Sequence, residues 1–257
     1  MDFNWTVVFA NGDVLFQGLL MTLLLSATAA VFSLIGGLLI ALMRLSNNRL
    51  VSGIAGAFIN VLRSIPPFVL IIYVYYGIAM AMNVTFTPFF AGVLALSLQY
   101  TAWIAEVYRA GIQAIPVGQT EAAASLGFSK PRAFLTIILP QALRVVVPPL
   151  GNNIVGIVKD SSLVSYIGVM ELVRSSQLLV SQTFRPFEIY TATVILYLVI
   201  TVIISIVFSR VEKRYSVGRR PGRKQRKLSK SRLARLAELK DLADAKTVTV
   251  AELGSTV

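Results

Sequence analysis

Apolar runs of bilayer length restrict what this chain can become. Residues 15–43, 50–82, 88–108, 137–158 and 187–208 are five hydrophobic segments, and several reach the ~20 residues that cross a hydrocarbon core. Lipid offers the backbone no hydrogen-bond partners, so segments that span it fold as helices. The expectation is an all-α integral membrane protein with five transmembrane helices. The composition agrees: 56% of residues are hydrophobic and 14% charged, and mean hydropathy is +0.73.

Positive charge sets the orientation, because cytoplasmic flanks collect Lys and Arg. Arg44 and Arg49, then Arg109, Lys130 and Arg132, then the C-terminal region fall on one side. The uncharged 83–87 loop and an N-terminus bearing only Asp2 and Asp13 fall on the other. Five spans then put the N-terminus outside and the C-terminus in the cytoplasm. The 159–186 connection is external in this scheme, with Asp160 and Glu171 partly offsetting Lys159, Arg174 and Arg185. The N-terminal stretch lacks the basic start of a cleavable signal, so insertion is expected through the first span itself.

The net charge of +12 is concentrated in one place. Residues 210–257 hold 14 Lys and Arg against 5 Asp and Glu, so nucleic acid is not the expected partner of the whole molecule. Basic clusters beside a membrane helix instead attract anionic lipid. Leu228, Leu233, Leu236, Leu239 and Leu242 give that tail a weakly amphipathic pattern. There is no His and no Cys, which excludes disulfides, imidazole or thiolate metal sites and His- or Cys-based catalysis; no metal site is expected.

The second segment is too long for one crossing and is broken at Ser64-Ile65-Pro66-Pro67, since each proline lacks an N–H and restricts its predecessor. Arg63 stands just before the break. Arginine beside interrupted helix at membrane depth points to a functional site; a cytoplasmic amphipathic helix with Arg63 snorkelling fits equally, and the two are compatible. Pro148-Pro149 is expected to kink the fourth span, with Asn152 and Asn153 satisfying the freed backbone or packing between helices.

Between the third and fourth spans, in a loop over 111–136, the pattern turns small and polar. Pro116 and Gly118 end the preceding helix. Thr120 is expected to cap a new one, with Glu121 near its positive end. Ala122, Ala123 and Ala124 are helix formers with little bulk. Gly127 suits the left-handed residue that follows a helix, and Ser129 suits the cap of the next, with Lys130 and Pro131 in its first turn. Through Phe134, Leu135 and Pro140 this second helix runs into the fourth span as a rod. Local physics alone leaves an ordinary cytoplasmic hairpin open.

The spacing Glu121-Ala122-Ala123, Gly127, Ile137 and Leu139-Pro140 resembles the EAA loop of permeases of binding-protein-dependent ABC importers. Further matches run from about 18 to 208. They include Leu62-Arg63-Ser64-Ile65-Pro66-Pro67, Ile104-Ala105-Glu106, Arg109-Ala110-Gly111-Ile112, Pro148-Pro149-Leu150-Gly151-Asn152 and Lys159-Asp160-Ser161-Ser162-Leu163-Val164. Together they resemble the polar amino acid branch of the type I importer permeases. One departure is Ser64-Ile65, where relatives usually have Gly-Thr. The resemblance implies the type I permease fold over 15–209, an external 1–14 segment and a basic tail over 210–257. It implies a bacterial inner-membrane location, a second permease subunit (identical or homologous), an ATP-binding cassette ATPase homodimer and an external substrate-binding protein. ATP and Mg then belong to the ATPase; this chain has no G-x-x-x-x-G-K-[ST] phosphate loop. Glu121, Ala122, Ala123, Gly127 and Ser129 are the expected ATPase-coupling residues. ATP-driven closure of the ATPase moves them and switches the spans between inward- and outward-facing.

An amino acid zwitterion needs a cation or helix N-terminus for its carboxylate and an acid for its amine. Arg63 and Asp160 are the expected pair, with Ser64, Pro66, Gln99, Tyr100 and Ser161 as further substrate-binding positions and Ser162 as a hydroxyl partner. Structural pairing is the competing reading for Lys159–Asp160 and for Glu106–Arg109, the latter at helical i,i+3 spacing. A stand-alone secondary transporter or channel-like membrane protein is the alternative function. A non-transport scaffold fits the broken spans and membrane-depth charges poorly.

Overall fold

The computed structural model describes residues 3–215 and Arg235. The expected tail beyond residue 215, leucine pattern included, otherwise lies outside them. The described residues form helices joined by short turns: α1 (Thr6–Ala10), α2 (Gly12–Arg44), α3 (Arg49–Ser64), α4 (Pro67–Ala81), α5 (Pro88–Gln113), α6 (Val117–Ser125), α7 (Lys130–Ile167), α8 (Leu172–Thr183) and α9 (Pro186–Tyr215). Helices α2, α5, α7 and α9 are each long and apolar enough to cross a membrane, and the bent pair α3–α4 supplies a fifth candidate. Their outward faces are apolar, as on α9, where Val194, Ile195, Leu198, Val202 and Ile203 are exposed.

Helices in lipid gain little from hiding apolar surface from one another, so close packing of small residues must hold them. The main seam joins α2 to α5. On α2 it runs Thr22, Ser26, Ala29, Ser33, Gly37 and Ala41, all buried and spaced three or four apart. On α5 it meets Ala91, Ala95, Ala102 and Ala105. A Cβ on Gly37 would lie 2.6 Å from Ile104 Cγ2 and 3.2 Å from the Ala105 nitrogen, so the two backbones touch there. Leu25, Leu96, Ile104, Ile71, Ile157 and Val164 fill the core around this seam with no exposed surface. Helix α7 packs on both α5 and α9.

The second segment breaks as expected. Helix α3 ends at Ser64, α4 begins at Pro67, and the two axes differ by 104°. Asn48 caps α3 by accepting from the Leu50 and Val51 amides, and Arg44 Nη1 donates to Ser52 Oγ at 2.7 Å across the α2–α3 turn. Ala55, Ile59 and Leu62 turn inward on α3, while Leu50, Ile54 and Val61 are exposed. Within α4, Tyr73–Ile78 is a π-helical turn.

One expectation about a helix end is corrected. Helix α6 starts at Val117, not after Thr120; Pro116, at φ −57 and ψ 135, is the extended residue before it. Proline disfavours helix in its predecessor and suits the helix start, so the helix begins a full turn earlier and Glu121 sits beyond its first turn. In α7, helix runs unbroken through Pro148 and Pro149. Asn153 does serve the backbone there, donating to the Pro149 carbonyl at 2.8 Å.

Helix α8 lies against α2 and α9. Its cap is Glu171, wholly buried, which accepts from the Val173 and Arg174 amides at 2.9 and 2.8 Å and from Tyr197 Oη at 3.0 Å. Burial pushes this carboxyl above its usual range, the three hydrogen bonds opposing that shift.

Candidate functional site

Pro66 cannot donate the amide that would normally reach the Leu62 carbonyl one turn back. Gln99 replaces it. From α5, 2% exposed, it donates Nε2 to the Leu62 and Ile65 carbonyls at 2.9 and 3.2 Å. The Leu62 carbonyl also accepts the Ile65 amide at 3.4 Å, so Gln99 adds to that bond and pairs the Ile65 carbonyl, which would cost about 1–3 kcal/mol if left unpaired. Among the described residues the buried Gln99 Oε1 has no hydrogen-bond partner.

Beside this break, α4, α5 and α7 enclose a cavity of about 410 Å3. Gln99, Tyr100 and Trp103 line it from α5, Asn152, Asn153 and Asp160 from α7, and Pro67 from the break. Tyr100 Oη donates to Asp160 Oδ2 at 2.8 Å; Oδ1 accepts nothing among the described residues. Asp160 makes no ion pair with Lys159, and the cavity contains one carboxylate and no cation. Among the described residues, its lining groups without a hydrogen-bond partner include Asp160 Oδ1, the Asn152 amide and the Trp103 indole N–H.

Of the expected substrate-binding residues, Gln99, Tyr100 and Asp160 meet here. Arg63 does not; it lies behind Trp103, its guanidinium carbon 5.3 Å from the ring centroid. Ser64 turns back onto its own helix, donating to Asn60 O at 2.8 Å. Ser161 is buried and donates to Val158 O at 2.8 Å, and Ser162 donates to Lys159 O at 2.7 Å. Pro66 shapes the break, while Pro67 reaches the cavity wall. Trp103 and Asn152 are cavity residues that sequence reasoning passed over or read as structural. Trp103 was reachable by helical spacing, lying three after Tyr100 and three before Glu106 on one face.

Arg63 instead faces a second, smaller pocket of about 170 Å3, shared with Arg44, Asn60, Glu106 and Arg109. Glu106 and Arg109 form the expected ion pair, with Nε to Oε2 at 3.0 Å and a second contact from Nη2 to Oε1; Arg109 also donates to Gln113.

Beyond α5, the 117–140 segment takes the form of a short helix, a turn and a rod. Gly127 is left-handed at φ +76. The Phe128 amide bonds to Ala123 O and the Gly127 amide to Ala124 O, each at 3.0 Å, closing a Schellman turn. Ser129 occupies the cap position of α7 without a side-chain hydrogen bond. Helix α7 then continues from Lys130 to Ile167, so the Gly127 turn and Asp160 lie along one helical run. Glu121 makes no ion pair among the described residues, and Ala122 and Ala124 are exposed. Among the described residues no group of acidic side chains could hold a metal ion.

Residues 33–217 match the family of binding-protein-dependent transport system inner membrane components. The chain belongs to that family. This transport-system membrane component is 35% identical over 218 residues to the glutamine transport system permease protein GlnP of Escherichia coli, covering 84% of this chain and all of that protein. It is 33% identical over 222 residues to the histidine/lysine/arginine/ornithine transport system permease protein HisQ of the same organism, covering 82% of this chain and 97% of that protein. Among solved structures, an amino acid ABC transporter crystallised with histidines matches at 36% identity and a TM-score of 0.79, covering 83% of this chain and 100% of that one. The type I importer permease fold is therefore that of this component.

Proposed function

We propose that this chain is the permease subunit of an ATP-driven importer of polar amino acids in the bacterial cytoplasmic membrane, with its N-terminus outside and its C-terminus inside. Relatives named for glutamine and for basic amino acids support the substrate class. Its partners are a second permease subunit, an ATPase homodimer that holds ATP and Mg and performs the hydrolysis, and an external binding protein that delivers substrate. The spans occupy 15–209, the coupling loop 111–136, and a basic tail from 210 meets anionic lipid.

The observation that carries this reading is the Asp160 cavity on α7, the helix that begins at the Gly127 turn. In the proposed cycle a substrate ammonium meets Asp160 Oδ1, oriented by the Tyr100 hydroxyl. The Asn152 amide faces the carboxylate. Movement of Glu121, Ala122, Ala123, Gly127 and Ser129 with the ATPase reaches the cavity along α7, so closure and release share one helix.

The test is co-purification and uptake. The chain co-purifies with an ATPase and supports ATP-dependent amino acid uptake, and Asp160→Asn abolishes uptake while leaving ATP hydrolysis by the complex. Uptake that persists without ATP would turn the reading to a stand-alone transporter.

A further inference from the structure

Arg63 leaves the Asp160 cavity, and what it joins has a chemistry of its own. The pocket at the α2–α3 turn and the end of α5 presents three guanidiniums (Arg44, Arg63 and Arg109) against the single carboxylate of Glu106. Arg109 occupies that carboxylate. Arg44 and Arg63 have no carboxylate within 4.0 Å among the described residues. The pocket therefore carries two guanidinium charges in excess and, at about 170 Å3, has room for a carboxylate and little more.

Its position is as informative as its charge. Trp103 lines the Asp160 cavity on one side and carries Arg63 on the other. Tyr100, Trp103, Glu106 and Arg109 follow one another along a face of α5. At 1.5 Å per residue, Tyr100 and Arg109 are separated by roughly 14 Å along the axis. Asp160 and the two arginines line different pockets, with Trp103 beside both. The arginine pocket also lies toward the end of α5 that leads into α6, the side of the coupling segment.

The geometry points to a second station for the substrate: Arg44 and Arg63 bind the α-carboxylate of an amino acid that has passed Trp103 on its way to the cytoplasm. This rests on the amino acid importer reading above. The two stations read opposite ends of the zwitterion, the carboxylate of Asp160 the ammonium and the guanidiniums the carboxylate. Guanidiniums suit the second station because their paired N–H groups match a carboxylate.

Trp103 and Trp5 are the two tryptophans of the chain, so Trp5→Phe leaves Trp103 as the sole reporter. The full chain in detergent is titrated with acetate, with L-glutamine and with inorganic phosphate while Trp103 emission is read. Acetate is expected to give a saturable change whose midpoint rises about tenfold in Arg63→Gln, the loss of a charge-assisted pair. Arg63→Lys moves it less, Arg44→Gln moves it in the same direction, and Asp160→Asn leaves it in place. An acetate midpoint unmoved by Arg63→Gln and Arg44→Gln overturns the station, as does a pocket titrated by phosphate alone, which would mark a lipid-headgroup site. Uptake by the assembled transporter separates the two readings. A parent complex without ATP-dependent amino acid uptake fails the function itself, whereas an active parent with an arginine-insensitive midpoint fails only the second station.

Discussion

Gly127 makes the sharpest demand on a single residue. A Cβ there would meet nothing within 4 Å, so substitution is limited by conformation and not by space. Holding an L-residue left-handed costs about 1–2 kcal/mol, more for a β-branched one, with Asn the mildest exception. Gly127→Val is therefore expected to depopulate the closed turn about tenfold and to reduce ATP-dependent uptake, while Gly127→Asn keeps most of it. Uptake and membrane level measured together check this; a Gly127→Val protein with parental uptake would exclude the turn from coupling. Gly127 was legible because a helix stop is a local property. The role of Gln99 was not, since its acceptors lie 37 and 34 residues away and nothing local announces them.

At the scale of the element, helix ends followed their strongest local determinant, which was not always the expected one. Thr120 has the chemistry of a cap, yet Pro116 starts α6 earlier because its fixed φ and restricted neighbour act first. Helix α8 shows the opposite economy, capped by a wholly buried carboxylate. Its folded pKa is raised, so Glu171 binds its proton more tightly in the folded state than in the unfolded one. Its contribution is fully present below the unfolded value of about 4.3 and is lost as pH rises through the folded value, where charge must be buried. Replacing it as Glu171→Gln removes the ionisation and keeps one acceptor oxygen, while its NH2 cannot accept from the amide or hydroxyl that faced the other. The parent's melting temperature is expected to fall more steeply than the variant's as pH rises above the ordinary carboxyl value of about 4.3. Equal slopes in a thermal melt would contradict a perturbed Glu171.

For the whole molecule, apolar run length and the proline break conveyed the five candidate spans, and motif spacing conveyed the family. Which residues share a cavity was less legible. It depends on the azimuth of each helix and on the 104° turn between α3 and α4, so Arg63 and Asp160, the expected substrate pair, line separate pockets. Pro148 and Pro149 sit inside continuous helix. In α7 the irregular piece is Phe134–Ile138, a π-helical turn between the Gly127 turn and the cavity. Such a turn absorbs one extra residue while the flanking helix keeps its phase. Deleting Leu135 is therefore expected to be tolerated better than deleting Val147, in regular helix, where loss of a residue swings one flank by ~100° against the other. Uptake by the two deletions at matched membrane levels tests this, and the reverse ranking would refute it. The surplus residue in Phe134–Ile138 amounts to a stored step. Passed along α7 by a turn, it would rotate the stretch it crosses by ~100° and advance it by ~1.5 Å without unwinding the helix.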